Sequence, residues 1–262
     1  MKKHVLSLSL TLFTLLLLGT AQAQVKSQLV EYKDGQTTLE GYLAYDASVK
    51  GKRPAVIVVH EWTGLNDYTK KRCDQLARMG YVAFAADIYG KGIRPGNPQD
   101  AGKEAGKYKG NIPLLRQRIN TALEYVRKNA NVNPAKVAAI GYCFGGTTVL
   151  ELARSGANVS GVVSFHGNLA SQTPADAKNI TSKILVCHGA MDPFAPKADV
   201  DAFMQEMNDA KVDYQLNLYS NAVHSFTNPE AGNDPSKGAA YNKEADMRSW
   251  EAMKLFFAEI FQ

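Results

Sequence analysis

A thiol, a carboxylate and an imidazole stand along this chain in an order suited to nucleophilic catalysis. The thiol lies in Gly141-Tyr142-Cys143-Phe144-Gly145-Gly146, between a predicted strand over 136–140 and a predicted helix over 144–154. A G-x-C-x-G at a strand-to-helix junction is the thiol form of a nucleophile elbow. The chain turns sharply there, so the central residue takes a strained conformation and offers its side chain to a cleft. Residues two before and two after it crowd each other, and glycine removes the clash. The helix N-terminus beside the sulfur favours thiolate. The competing reading is a buried cysteine next to a packing pair of glycines.

A thiol nucleophile needs a base, and the base needs a group that orients it. Asp192 follows a predicted strand over 184–188, in Gly189-Ala190-Met191-Asp192-Pro193. His224 follows a predicted strand over 214–219, in Ala222-Val223-His224-Ser225-Phe226. The order nucleophile, acid, histidine is the one found with such elbows. A turn-capping aspartate and a surface histidine are the alternatives. His60 and His188 end buried strands and read as structural, whereas His166, just past a strand over 159–165, is expected to line the cleft. No histidine or acid shows metal-ligand spacing of the HExxH kind, so neither a metal nor another cofactor is expected.

The loop after a strand over 55–60 reads Glu61-Trp62-Thr63-Gly64. The backbone N–H groups of Trp62 and Phe144 are the expected oxyanion donors. A carboxylate at the end of a buried strand costs desolvation unless paired. Glu61 is therefore either a partner of Cys143 or of a bound group, or an outward, solvated side chain.

The elements that position these residues alternate. Leu29–Tyr32 and Thr38–Tyr45 read as a hairpin turning at Asp34-Gly35. From residue 55 onward strands alternate with helices over 67–79, 113–130, 144–154, 197–208 and 239–261. The last is expected to pack through Trp250, Met253, Phe257 and Ile260. Residues 95–111, rich in Gly, Lys and Pro, read as irregular with room for a short helix. This pattern predicts one α/β domain over 24–262, a mostly parallel sheet with an N-terminal antiparallel hairpin and helices on both faces. Ligands in such sheets sit beyond the carboxyl ends of the strands, where all the candidates above fall.

The 262 residues are 45% apolar and 21% charged, the balance of a globular chain. The net charge of +5 is spread without long basic runs, so no nucleic-acid surface is indicated. Lys2-Lys3, an apolar stretch over 5–18 and Ala21-Gln22-Ala23 read as a signal peptide cleaved after Ala23. The expected product is a soluble exported protein, periplasmic in a bacterium, without a stable membrane anchor. Three cysteines are too few for a disulfide scaffold, and Cys73 and Cys187 fall on a helix and a strand not obviously placed to pair. The pattern specifies no oligomeric state.

Taken together, HEWTGL (60–65), DIYG (87–90), GYCFGG (141–146), HGAMDPFAP (188–196) and VHSF (223–226) resemble the dienelactone hydrolase family of α/β-hydrolases, over essentially all of 30–262. The resemblance implies an α/β-hydrolase fold and a Cys143–His224–Asp192 triad cleaving a small ester or lactone through an acyl-cysteine. It also implies that Glu61 contacts the resting thiol and swings when substrate binds. It implies, further, arginines that hold a substrate carboxylate. Here the sequence departs: Gly90-Lys91-Gly92 and Arg94 follow Asp87-Ile88-Tyr89, and Thr227-Asn228-Pro229 follows Phe226. Lys91 and Arg94 either face a substrate carboxylate or are solvated loop charges. A thioesterase or amidase on the same fold, and a non-catalytic exported binding or redox-sensing protein, are the remaining alternatives.

Overall fold

Strand β3 (Arg53–Val59) shows how the central sheet is built. Ala55, Ile57 and Val59 face one apolar core, and Val56 and Val58 face another. A strand covered on both faces needs apolar residues at every position, which explains its unbroken hydrophobic run. The computed structural model describes residues 23–262, so the leader expected over 1–23 lies, but for Ala23, outside the described residues.

Eight strands form one sheet among the described residues: β1 (Val25–Asp34), β2 (Thr37–Asp46), β3, β4 (Val82–Ala86), β5 (Val132–Tyr142), β6 (Gly161–Phe165), β7 (Lys183–Gly189) and β8 (Tyr214–Tyr219). Their spatial order is β1-β2-β4-β3-β5-β6-β7-β8. The β1–β2 hairpin turns at Gly35, whose φ of +56° glycine adopts without strain. Strands β1 and β2 pair antiparallel, β2 joins β4 antiparallel, and the remaining pairings are parallel.

Helices α1 (Asp67–Arg78) and α6 (Lys243–Ile260) cover one face of the sheet. The other is covered by α2 (Pro98–Lys109), α3 (Ile112–Arg127), α4 (Phe144–Arg154) and α5 (Lys197–Asp209). Asn66, Asn97, Asn111 and Asn242 cap α1, α2, α3 and α6, each accepting a backbone N–H with its side chain. Helix α4 is buried along its whole length. Its polar residues are paired: Glu151 accepts from Arg116 and Arg154, and Arg154 also binds Glu206. This is the mostly parallel sheet with an antiparallel hairpin and helices on both faces expected from the alternation of elements.

Two segments differ from the sequence reading. Residues 98–109 form a full helix, because Asn97 and Pro98 start it and Ala101, Ala105 and Tyr108 bury one face. The last helix begins at Lys243 rather than near 239, because the preceding residues pair with the loop at His224. Helix α6 buries Met253 and Phe257 as expected, along with Ala245, Ser249 and Phe256. Trp250 and Ile260, half-buried, pack against the same core, and the Trp250 ring also covers the Arg72 guanidinium, 5.1 Å away.

Phe257 is fully buried, with its ring 5.4 Å from Tyr81 and 5.5 Å from Phe261, while Leu255 is 74% exposed. Phe257→Ala should cost about 3–5 kcal/mol and Leu255→Ala no more than about 0.5 kcal/mol in urea unfolding.

Candidate active site

Parallel β3, β5, β6, β7 and β8 deliver their carboxyl ends to one side of the sheet, and the sequence candidates leave from there. Cys143 stands between β5 and α4 at φ +55° and ψ −115°, outside the comfortable range of a non-glycine residue. A Cβ on Gly141 would lie 2.0 Å from the Gly145 carbonyl oxygen, and one on Gly145 would lie 2.3 Å from that of Val59. The corner closes only with glycine at both places. It is tied down by its own backbone: Cys143 N–H donates to Phe165 O, and Cys143 O accepts from Gly146 N–H at 2.9 Å.

His224 and Cys143 line the same cavity. His224 Nδ1 bonds Asp192 Oδ2 at 2.8 Å, and the Asp192 side chain is fully buried. The other oxygen, Asp192 Oδ1, accepts from Phe194 N–H at 2.8 Å, so the carboxylate cannot rotate freely. The His224 backbone is gripped on both sides, N–H to Gly238 O at 3.1 Å and O from Ala240 N–H at 3.0 Å. Burial disfavours charge on this ring. The Cys143 sulfur, as charge and hydrogen-bond partner, and the Asp192 carboxylate outweigh burial and raise His224 from 6.5 to about 10.

Glu61 is buried at the end of β3 and turned inward. Asn228 Nδ2 donates to Glu61 Oε2 at 2.7 Å, and Ser225 Oγ reaches Oε1 at 3.4 Å. His60 holds its backbone, Nδ1–H donating to Glu61 O at 2.6 Å. Burial pushes the Glu61 carboxyl above its ordinary value; Asn228 and the nearby His224 charge act the other way. The solvated alternative for Glu61 is thereby excluded. Its hydrogen-bond partners are Asn228 and Ser225 rather than the thiol.

Trp62 and Phe144 both border the cavity, which measures about 370 Å³. Phe144 is the first residue of α4, where a helix leaves its N–H groups free for a ligand. Trp62 sits in the turn closed by Gly64 N–H to Glu61 O. Phe194, Asn168 and Ala239 add to the wall, and α2 contributes Gly102, Ala105, Gly106 and Lys109. Lys91 and Arg94 are not in it, which overturns the substrate-facing alternative for them. Lys91 Nζ pairs with Glu31, and Arg94 lies 3.6 Å from both Glu40 and Asp87 while donating to the carbonyls of Gly90 and Ile93. These acids belong to the N-terminal hairpin and to the end of β4, so linear spacing gave no sign of the pairing. Lys109 is the lysine that borders the cavity, and sequence reading passed over it because its segment read as irregular.

His166 also differs from expectation. It is fully buried behind the cleft rather than lining it. His188 Nε2 bonds Ala195 O and His60 Nε2 accepts from Ile88 N–H, both structural contacts. Cys73 and Cys187 are buried and form no disulfide, Tyr219 OH donates to the Cys187 sulfur, and burial raises Cys187 to about 12. Among the three thiols Cys143 is the one open to a ligand.

Comparison with known proteins places the chain in a family. The model of the dienelactone hydrolase family matches residues 39–261. A protein of Aquifex aeolicus, provisionally named a carboxymethylenebutenolidase, is 30% identical over 88% of this chain and 97% of its own. A dienelactone hydrolase-like promiscuous phosphotriesterase from metagenomic libraries is 41% identical, covers 91% of this chain and 99% of its own, and superposes with a TM-score of 0.87. A provisionally named dienelactone hydrolase of Klebsiella pneumoniae shares the fold at 20% identity, TM-score 0.78, over 89% of this chain and 98% of its own.

Because Glu61 is raised above its ordinary 4.5, the folded chain keeps a proton there that the unfolded chain has lost. Stability from this group therefore falls as pH rises above about 4.5. Glu61→Gln, which can still accept from Asn228, should raise the melting temperature relative to wild type at alkaline pH. The gap should shrink toward pH 4.5 in paired thermal melts.

Proposed function

The chain belongs to the dienelactone hydrolase family, and from that membership we propose that it cleaves a small ester or lactone through an acyl-cysteine on Cys143. One observation carries the reading. A histidine bonded at 2.8 Å to a buried aspartate shares a cavity with a cysteine held at a strained strand–helix corner.

In this mechanism the proton rests on His224, whose raised affinity for it reflects the sulfur and Asp192. Sγ attacks the carbonyl carbon, and the electron pair moves to the oxygen between the N–H groups of Trp62 and Phe144. Two fixed donors there act where charge develops rather than in the ground state. His224 gives its proton to the departing alkoxide, leaving a thioester. It then takes a proton from water, hydroxide attacks the thioester, and the thiolate leaves as the acid product departs. Asp192 stabilises the imidazolium at each stage and keeps Nδ1 protonated.

The wall formed by Trp62, Phe144 and Phe194 suits an apolar or aromatic substrate, with Lys109 the one lysine or arginine bordering the cavity among the described residues. A second reading has its own support in the similarity to the metagenomic phosphotriesterase. A neutral phosphotriester needs no carboxylate clamp, and here Lys91 and Arg94 are engaged elsewhere.

Cys143→Ala should abolish turnover of an activated short-chain aryl ester, and Asp192→Asn should lower kcat by about 10²–10⁴. Wild-type rates in Cys143→Ala would end the proposal; matched ester, thioester, amide and phosphotriester substrates rank the chemistry. Lys109→Ala should raise KM roughly fivefold for a carboxylate-bearing ester and leave that for its neutral analogue unchanged, an exposed charge contact being worth about 1 kcal/mol.

A further inference from the structure

His166 follows the strand next to the nucleophile, and its ring lies directly behind the elbow. Cys143 N–H donates to His166 Nδ1 at 3.1 Å, sharing its hydrogen with Phe165 O. A backbone N–H can only donate, so Nδ1 carries a lone pair and the ring proton is on Nε2. Nε2–H then donates to Thr227 Oγ1 at 2.7 Å. The Thr227 hydroxyl meets Tyr68 OH at 2.6 Å, which also accepts from Arg72 Nε at 3.3 Å. Arg72 donates to Thr227 O at 2.8 Å and to Asp246 at 2.6 Å. Either hydroxyl of the Thr227–Tyr68 pair can donate to the other, and the far end of this buried chain is held by the ion pair between α1 and α6.

Two further facts bear on the ring. His166 is itself at φ +40°, so two residues in contact across adjacent strands both hold unfavourable backbone conformations. Its ring centroid is 5.3 Å from that of His224. Burial, reinforced by the charges of His224 and Arg72, keeps His166 well below the ordinary histidine range. A neutral ring leaves the imidazolium on His224 unopposed.

We propose that His166 is a positioning residue, which through its Nδ1 acceptor fixes the peptide of Cys143 and so aims the sulfur at His224 and the Phe144 N–H at the oxyanion. This rests on Cys143 being the nucleophile. His166 touches neither substrate nor the reacting atoms; it acts through the nucleophile's backbone, and Thr227 Oγ1 accepts from its other ring nitrogen.

The test uses the full chain and two readouts. His166→Phe should lower kcat about tenfold, the worth of one hydrogen bond, with KM changed less than about twofold. It should also slow iodoacetamide alkylation of Cys143 and displace the pH profile of that reaction. His166→Asn, whose Oδ1 can replace Nδ1 as acceptor, should recover most of both. A folded His166→Phe with wild-type kcat and alkylation profile overturns the proposal, as does equal loss in the Asn and Phe variants. If His166→Phe does not fold, Thr227→Val serves: it should give a kcat-selective loss of about threefold, and wild-type behaviour in it overturns the proposal. Alkylation requires no turnover. A displaced profile in a protein inert toward esters would therefore sink the hydrolase reading and leave the positioning role standing.

Discussion

One backbone conformation, the left-handed turn at Cys143, sets the terms for everything around it. Such a conformation costs about 1–3 kcal/mol in a non-glycine residue and persists only where the surroundings over-determine it. Here they do. Glycine on either side lets β5 and α4 meet, and the N–H and carbonyl of the strained residue are both bonded. The helix that follows is buried from end to end and anchored by ion pairs. The sheet around it offers apolar residues to both faces, so the corner is set in buried surroundings.

Charge in the site is arranged with the same economy. Asp192 and Glu61 are both buried, and each has its oxygens assigned to named donors. His224 stands close to both acids and the sulfur. The imidazole closest to it, His166, is kept neutral. A second buried cation beside the first would raise the energy of the state that a thiolate requires.

What was legible in the sequence is what a short segment or a chain order specifies. The glycine-flanked cysteine, the aspartate and histidine past their strands, and the apolar run of β3 each announce themselves within a dozen residues. What was not legible depends on partners far apart in sequence. Asn228 and Glu61 are 167 residues apart, and His166 and Thr227 are 61 apart. Neither pair follows a local rule. Thr227-Asn228 stood out as the place where an expected arginine was missing. The structure gives both residues work: one orients the ring behind the nucleophile, the other holds the buried carboxylate. Lys91 and Arg94 stood out as charges near the cleft, but they are taken by acids on the hairpin and on β4, which only the folded sheet brings near.

The glycines of α2 made that helix hard to see, since glycine lowers helix propensity by about 1 kcal/mol per residue. Gly102 and Gly106 lie one turn apart on the wall of the cavity, where a side chain would take up its space. A methyl group at Gly106 would meet nothing within 4 Å, and one at Gly102 only the Trp62 ring at 4.0 Å. The helix that shapes the cavity is thus separate from the hydrogen bonds that hold the reacting groups. New substrates could be accommodated by single replacements there, each restoring helix propensity while the chemistry stays intact. Evolution and the protein engineer would find in α2 the same adjustable wall.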